Sequence, residues 1–98
     1  MFKRLFNRRR ADRLSCDIGT TVREADGPEL QVRLVSLSDR GFRLKGSNSF
    51  REESQLSIEL PGNRRVVGRV VWTSGDECGG IFLTPIVVDQ VRLAAATV

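Results

Sequence analysis

The chain reads LSCDIGTTVR over residues 14–23, a stretch in which apolar and polar side chains alternate residue by residue. Successive side chains of a β-strand point to opposite faces, so this alternation predicts a half-buried strand. Cys16 would lie on the apolar face, where a free cysteine behaves as a small hydrophobic residue. The apolar face would consist of Leu14, Cys16, Ile18, Thr20 and Val22.

The same pattern recurs downstream. It predicts five further strands, over residues 30–34, 42–45, 56–60, 64–73 and 78–83. Gly68 is expected to mark a bulge or a sharp bend, and Phe42, Trp72 and Phe82 are expected in the core. Val87 to Ala96 has helical spacing, with Asp89 placed to suit the helix dipole, and predicts a short C-terminal helix. Six short strands at this spacing indicate a small antiparallel barrel or sandwich.

Composition argues against catalysis and metal binding. The 98 residues, enough for one domain, contain no histidine and no tyrosine, which removes two common proton-transfer groups. Cys16 and Cys78 form no CxxC pair, so we predict two reduced, buried thiols and no zinc site. The carboxylate pairs Glu52-Glu53 and Asp76-Glu77 fall in predicted turns. No catalytic residue, metal or cofactor is therefore expected, and binding is the default function.

No apolar run approaches the roughly 18–20 residues that would cross a bilayer. The first residues contain neither a continuous apolar segment nor a small-residue cleavage site. We therefore expect a cytoplasmic protein without stable membrane insertion.

Basic residues are concentrated in the first thirteen positions. Six of the sixteen Lys and Arg residues lie there with a single acid, Asp12, so the net charge of +4 originates in this segment. Arginine dominates, and its planar, permanently charged fork fits phosphate oxygens and purine edges. We predict a flexible basic arm over residues 1–13 and a folded domain over residues 14–98.

Two sequence motifs, in this order along the chain, resemble those of a known protein family. Arg9-Arg10-Ala11-Asp12-Arg13 has RxxxR spacing, which Arg8 extends to RRxxxR, and Ser36-Leu37-Ser38-Asp39-Arg40-Gly41 resembles a (D/N)xSxxG signature. Val70-Val71-Trp72 and Gly80-Ile81-Phe82 are similar to a later strand pair. Over roughly residues 8 to 85 the chain resembles the PilZ domain, a bacterial receptor module for the second messenger cyclic di-GMP. The resemblance implies a six-stranded antiparallel β-barrel with a C-terminal helix.

The resemblance also implies a ligand-binding site for cyclic di-GMP. Arg9 and Arg13 would hold guanine edges and phosphates, since bidentate contact to guanine O6 and N7 suits arginine. Arg8 would favour two stacked ligand molecules over one. An arm that orders around the ligand would act as a switch.

The second motif would supply the rest of the site. Ser38 would hydrogen-bond the ligand and Gly41 would allow a tight turn. Ser36 stands where the signature has Asp or Asn; losing one such hydrogen bond costs about 1–3 kcal/mol.

Three alternatives remain beside this interpretation. A degenerate module would keep the barrel, bind no nucleotide and act through protein contacts, as Ser36 favours. Binding of single-stranded nucleic acid would need exposed aromatic side chains for base stacking, and the chain has few aromatic residues. Membrane attachment through Phe2, Leu5 and Phe6 would need a second membrane-binding feature for stable anchoring. In the receptor interpretation the output passes through a downstream protein partner or a change of oligomeric state.

Overall fold

Six antiparallel strands close into one barrel in the computed structural model, which describes residues 14–25, 27–46, 50–84 and 86–96. The order around the barrel is β1-β2-β3-β6-β5-β4, followed in sequence by helix α1. This confirms the predicted six-stranded barrel with a C-terminal helix. The elements are β1 (Leu14–Glu24), β2 (Glu29–Leu37), β3 (Gly41–Lys45), β4 (Gln55–Leu60), β5 (Arg64–Ser74), β6 (Glu77–Phe82) and α1 (Val88–Ala96).

Alternation builds the core inside the barrel. In β4, Leu56, Ile58 and Leu60 are buried while the residues between them are partly exposed, and Val22 of β1 pairs with Ile58 across the ladder. A side chain that points inward is flanked by a hydrogen-bonded strand on both sides, because the sheet has no open edge. The buried apolar residues form one cluster that fills the barrel.

The pairing register shifts in three ladders, β1–β2, β2–β3 and β5–β6, and the shifts in β2 and β5 reverse the alternation partway along those strands. In the β2–β3 ladder Leu34 pairs with Leu44 but Ser36 pairs with Arg43, so Val35 is an extra residue. In the β5–β6 ladder Val70 pairs with Gly80 but Trp72 pairs with Gly79, so Val71 is extra. An extra residue shifts the next side chain to the opposite face of the sheet. Ser36 and Trp72 therefore face outward, although unbroken alternation would turn both inward.

The bulge expected at Gly68 is not there, because pairing is regular on both sides of that residue. A Cβ atom at position 68 would stand 2.5 Å from Cε2 of Phe42. The glycine therefore makes room for the Phe42 ring, which also packs against Phe82 with the ring centroids 5.2 Å apart. The strand bulges three residues later, at Val71.

Helix α1 begins one residue later than predicted and lies against the barrel through Val88 and Val91, both buried. Its first backbone amide, that of Val88, donates a hydrogen bond to Oδ1 of Asp39 at 3.1 Å. Asp39 comes from the loop between β2 and β3, so a side chain 49 residues away caps the helix. No helix of the described residues is long and apolar enough to span a membrane.

The cysteines differ in their surroundings. Cys78 is fully buried, but Cys16 is only partly buried, contrary to the prediction of two buried thiols. The Cys16 thiol donates to the Leu34 carbonyl oxygen at 3.3 Å. Burial, with a smaller contribution from the Asp17 charge, raises the pKa of this thiol, so the neutral form is favoured.

Candidate functional site

A cleft on the outer surface of the barrel brings the second motif together. It has a volume of about 310 Å³ and is open to solvent between the β2–β3 connection and the β5–β6 ladder. Three predicted site residues, Ser36, Ser38 and Gly41, line it. The other lining residues are Phe42, Arg43, Val71, Trp72, Gly80 and Ile81.

Ser36 faces the cleft because of the bulge at Val35. It belongs to β2, which extends to Leu37, three residues beyond the strand predicted over residues 30–34. It pairs with Ser15 on one side and Arg43 on the other. Its neighbour Leu37 takes the inward position and is fully buried. The hydroxyl of Ser36 has no recorded hydrogen-bond partner within the described residues. The Ser36 hydroxyl is thus presented to the cleft beside the Arg43 guanidinium.

Ser38 holds the loop in shape. Its Oγ accepts hydrogen bonds from the backbone N–H groups of Gly41 at 3.0 Å and of Arg40 at 3.4 Å. The Ser38 N–H in turn donates to the Gly41 carbonyl oxygen at 2.9 Å. A serine that bonds its own turn in this way fixes the backbone between β2 and β3. The loop is therefore organised before any ligand contacts it.

Gly41 is required by close packing. Its φ angle is outside the left-handed region, so a tight turn does not account for the glycine. A Cβ atom at this position would lie 2.9 Å from the carbonyl oxygen of Gly80 in β6. The absence of a side chain lets the end of the loop lie directly against the neighbouring strand, which forms the floor of the cleft.

Trp72 was expected in the core, and that prediction is wrong. Phe42 and Phe82 are buried as predicted, but the Trp72 side chain is 39% exposed and lies over Gly79 on the outside of the barrel. Any Cβ at position 79 would collide with the indole. The consecutive glycines Gly79-Gly80 are the sequence signal for this arrangement, because strand positions without side chains leave room for a neighbouring ring.

Arg43 gives the cleft its positive charge and was not singled out by the sequence. Its Nε donates to Oε1 of Glu77 at 2.9 Å, in an ion pair with about half of the arginine side chain exposed. A guanidinium carries five N–H donors in a planar fork. The bond to Glu77 orients the fork and leaves other donors available on the cleft side.

The cleft adjoins the point where the chain enters the barrel. Leu14, the first residue of β1, pairs with Leu37, and Ser15 pairs with Ser36. Arg8, Arg9 and Arg13 lie outside the described residues, as does the whole predicted arm over residues 1–13. Arg13 directly precedes Leu14 in the sequence, and Leu14 and Ser15 lie opposite Leu37 and Ser36 at one end of the β1–β2 ladder.

No group of three or more histidine, cysteine, aspartate and glutamate side chains that could hold a metal ion occurs within the described ranges. What lines the cleft is instead an aromatic ring, a guanidinium, hydroxyl groups and glycine backbone. These groups suit a planar, polar or anionic ligand, which stacks on the ring and accepts hydrogen bonds from the cation.

Comparisons with known proteins agree with this fold. The PilZ domain family model matches residues 7–96. The structure resembles the PilZ domain of CeSA from a cellulose-synthesising bacterium, with a TM-score of 0.62 and 17% identity, covering 88% of this chain and 93% of that one. It also resembles the Bacillus subtilis inhibitor of motility (MotI/DgrA), with a TM-score of 0.59 and 14% identity, covering 87% of this chain and 48% of that one. No curated protein matches the sequence significantly.

Proposed function

This chain belongs to the PilZ domain family, a family of cyclic di-GMP receptors, and we propose that it binds cyclic di-GMP in the cleft beside Ser36. Arg9 and Arg13 close over the nucleotide from the chain entering β1. The protein then acts as a non-catalytic adaptor in the bacterial cytoplasm, passing the signal to a protein partner or through a change of oligomeric state.

One observation carries the proposal. Ser36, Ser38 and Gly41 line a single cleft, and that cleft lies beside the strand end to which the arginine motif is bonded. The two motifs are separated by about twenty residues of sequence, and the β1–β2 ladder brings Ser36 opposite Ser15, two residues after Arg13 in the sequence. A ligand held by both motifs requires a cleft near the strand that follows the arginine motif, and this supports the proposal.

The small size of the cleft explains why the predicted basic arm over residues 1–13 is needed to bind the ligand. Sites that enclose a drug-sized ligand are typically about 300–1,000 Å³, and this cleft lies at the lower limit. A cyclic dinucleotide, with two bases and two phosphates, is therefore only partly enclosed by the barrel. The arginines cover the exposed remainder, with bidentate contacts to guanine O6 and N7 and charge-assisted bonds to phosphate.

The barrel side of the site divides into two kinds of contact. Trp72 offers an exposed ring on which a guanine base stacks. Arg43, opposite Ser36 in the β2–β3 ladder, offers donors to a phosphate or to a base oxygen. Ser38 keeps the loop in position and meets the ligand only at the edge of its turn, because its oxygen already accepts two backbone hydrogen bonds.

Calorimetric titration of the purified protein with cyclic di-GMP at physiological salt tests the proposal. We expect micromolar or tighter binding that is abolished in an Arg9→Ala/Arg13→Ala double variant and unchanged in Arg92→Ala, an exposed arginine of α1. A stoichiometry near two ligands per chain, reduced to one by Arg8→Ala, would assign the second molecule to Arg8. No heat up to high micromolar nucleotide contradicts the receptor function.

A second candidate is a PilZ barrel that binds no nucleotide and acts only through protein contacts. Ser36 supports it, because serine replaces the Asp or Asn of the signature and offers a shorter, uncharged group. The calorimetric titration decides between the two, since this alternative requires that the wild-type chain and the arginine variant behave alike.

A further inference from the structure

An apolar surface with one cation at its centre covers the outside of β5 and β6 beside the cleft. Its residues are Val67, Arg69, Val71, Ile81 and Leu83, here called the β5–β6 outer face. The four apolar side chains are 38%, 49%, 39% and 44% exposed in chain order. The ladder continues past β6, since the Leu83 N–H donates to the Val67 carbonyl oxygen at 2.8 Å. Clustered exposure of this kind marks an interaction site more often than isolated apolar residues do.

Arg69 has no acidic partner within the described residues. It pairs with Ile81 across one ladder and with Gln55 across the other. Four other arginines of the barrel surface already have carboxylate partners at 2.7 to 3.7 Å: Arg23, Arg33, Arg43 and Arg65. Arg64, the first residue of β5, likewise has no ion pair among the described residues, but it is not part of the β5–β6 outer face. A guanidinium surrounded by apolar side chains costs free energy when a partner covers it, unless the partner supplies a carboxylate.

The charge of Arg69 and the closure of the barrel restrict what can bind to the β5–β6 outer face. The barrel closes on itself, so β5 and β6 have no unpaired edge to which another strand could add. A second copy stacked face to face would bring like arginines together. Phe2, Leu5 and Phe6 of this chain are flanked by Lys3, Arg4 and further arginines, which repel Arg69.

We propose that the β5–β6 outer face docks a segment of a partner protein that presents a carboxylate to Arg69 between flanking apolar side chains. Val71 and Ile81 belong to this face and also line the cleft. A nucleotide in the cleft therefore borders the docked segment, and the occupied cleft binds the partner more tightly. Only this coupling rests on the proposed function; the docking surface does not require it.

Photo-crosslinking in the source bacterium tests the docking surface. p-Benzoylphenylalanine replaces Val67 in the full chain, and the peptide to which it attaches is identified by mass spectrometry. We expect one partner segment with Asp or Glu next to apolar residues. Arg69→Glu in the same chain should lower the yield at least about tenfold, as loss of a central arginine contact typically does. There are two controls. The photo-crosslinker placed at Gln31, on β2 across the barrel, should give a lower yield of the adduct, and the charge reversal Arg92→Glu should leave the yield from position 67 unchanged.

Several results would overturn the docking proposal. They are an adduct with a second copy or with lipid, an equal yield from position 31, an unchanged yield in Arg69→Glu, or no adduct. A Val67→Ser/Leu83→Ser variant, labelled at Ile81, repeats the test if Arg69→Glu does not fold. Calorimetry separates the two proposals, because Arg69 lies outside the cleft lining and Arg69→Glu should bind cyclic di-GMP as the wild type does. An adduct without nucleotide binding would refute the receptor function alone.

Discussion

In the proposed cyclic di-GMP site, Ser36 should limit how tightly the cleft holds a guanine base, because its hydroxyl stands where the family signature has a longer carboxylate or amide. Ser36→Asn restores a side chain that can pair with a guanine edge, and the outward orientation set by the bulge at Val35 is retained. We predict about tenfold tighter binding of cyclic di-GMP by calorimetry, corresponding to one added hydrogen bond of about 1.4 kcal/mol. Ser15→Asn, on the neighbouring strand but outside the cleft, is the matched control and should change nothing.

Asp39 acts on stability through one hydrogen bond. Its carboxylate accepts from the first backbone amide of α1 at the positive end of the helix dipole. Asp39→Ala should lower the free energy of unfolding by about 1 kcal/mol in urea titrations. Asp39→Asn keeps an acceptor and should lose less. Equal losses in the two variants would show that the cap is not the cause.

The Asp17–Arg33 pair gives a small pH dependence. The hydrogen bond from Arg33 Nε at 2.7 Å, together with the arginine charge, lowers the pKa of the Asp17 carboxyl. A lowered pKa stabilises the folded state above the ordinary value of 3.8, and this stabilisation is lost as the pH falls through the folded value. Asp17→Asn should therefore lower Tm slightly at pH 7 and leave it unchanged near pH 2. Glu52→Gln, an exposed turn residue, should show neither effect.

At the scale of the elements, the alternation of apolar and polar residues predicted every strand and the helical spacing predicted the helix, but neither pattern showed which residues face the cleft. Period-two alternation identifies a strand wherever one face is buried, as over residues 14–23 and 56–60. The same rule placed Trp72 in the core, because a bulge changes the parity of a strand without leaving a mark in the hydrophobic pattern. Ser36, Ser38 and Gly41 were found through a motif and not through alternation.

The bulge at Val71 predicts that Trp72 contributes more to binding than to stability. Trp72→Ala should cost less unfolding free energy than Phe82→Ala, because part of the indole is already exposed, whereas truncating a buried aromatic such as Phe82 costs about 3–5 kcal/mol. Loss of stacking should weaken cyclic di-GMP binding by about tenfold or more. Urea titration and calorimetry on Trp72→Ala and Phe82→Ala measure both quantities. A stability loss in Trp72→Ala as large as that in Phe82→Ala would contradict the outward position.

At the scale of the whole molecule, the proposed ligand site joins the barrel to the arginine motif, so nucleotide binding should stabilise the entire fold. At free ligand one hundred times Kd, binding to the folded state adds about 2.7 kcal/mol. For a chain of this size that is a rise in Tm of roughly 10–20 °C in thermal melts. The Arg9→Ala/Arg13→Ala variant should melt like the unliganded protein at every nucleotide concentration. A nucleotide with unrelated bases serves as the ligand control.

The hydrogen bond from Val88 to Asp39 also has a mechanical meaning. It fastens the start of the last element to the loop that borders the cleft. Tension applied to the C-terminal residues of α1 would act on this loop through the hydrogen bond, as well as on the backbone that leads back to β6, and would strain the wall of the proposed nucleotide site. Force on the helix and occupancy of the cleft would oppose each other, so a bound nucleotide would raise the force needed to pull the helix away.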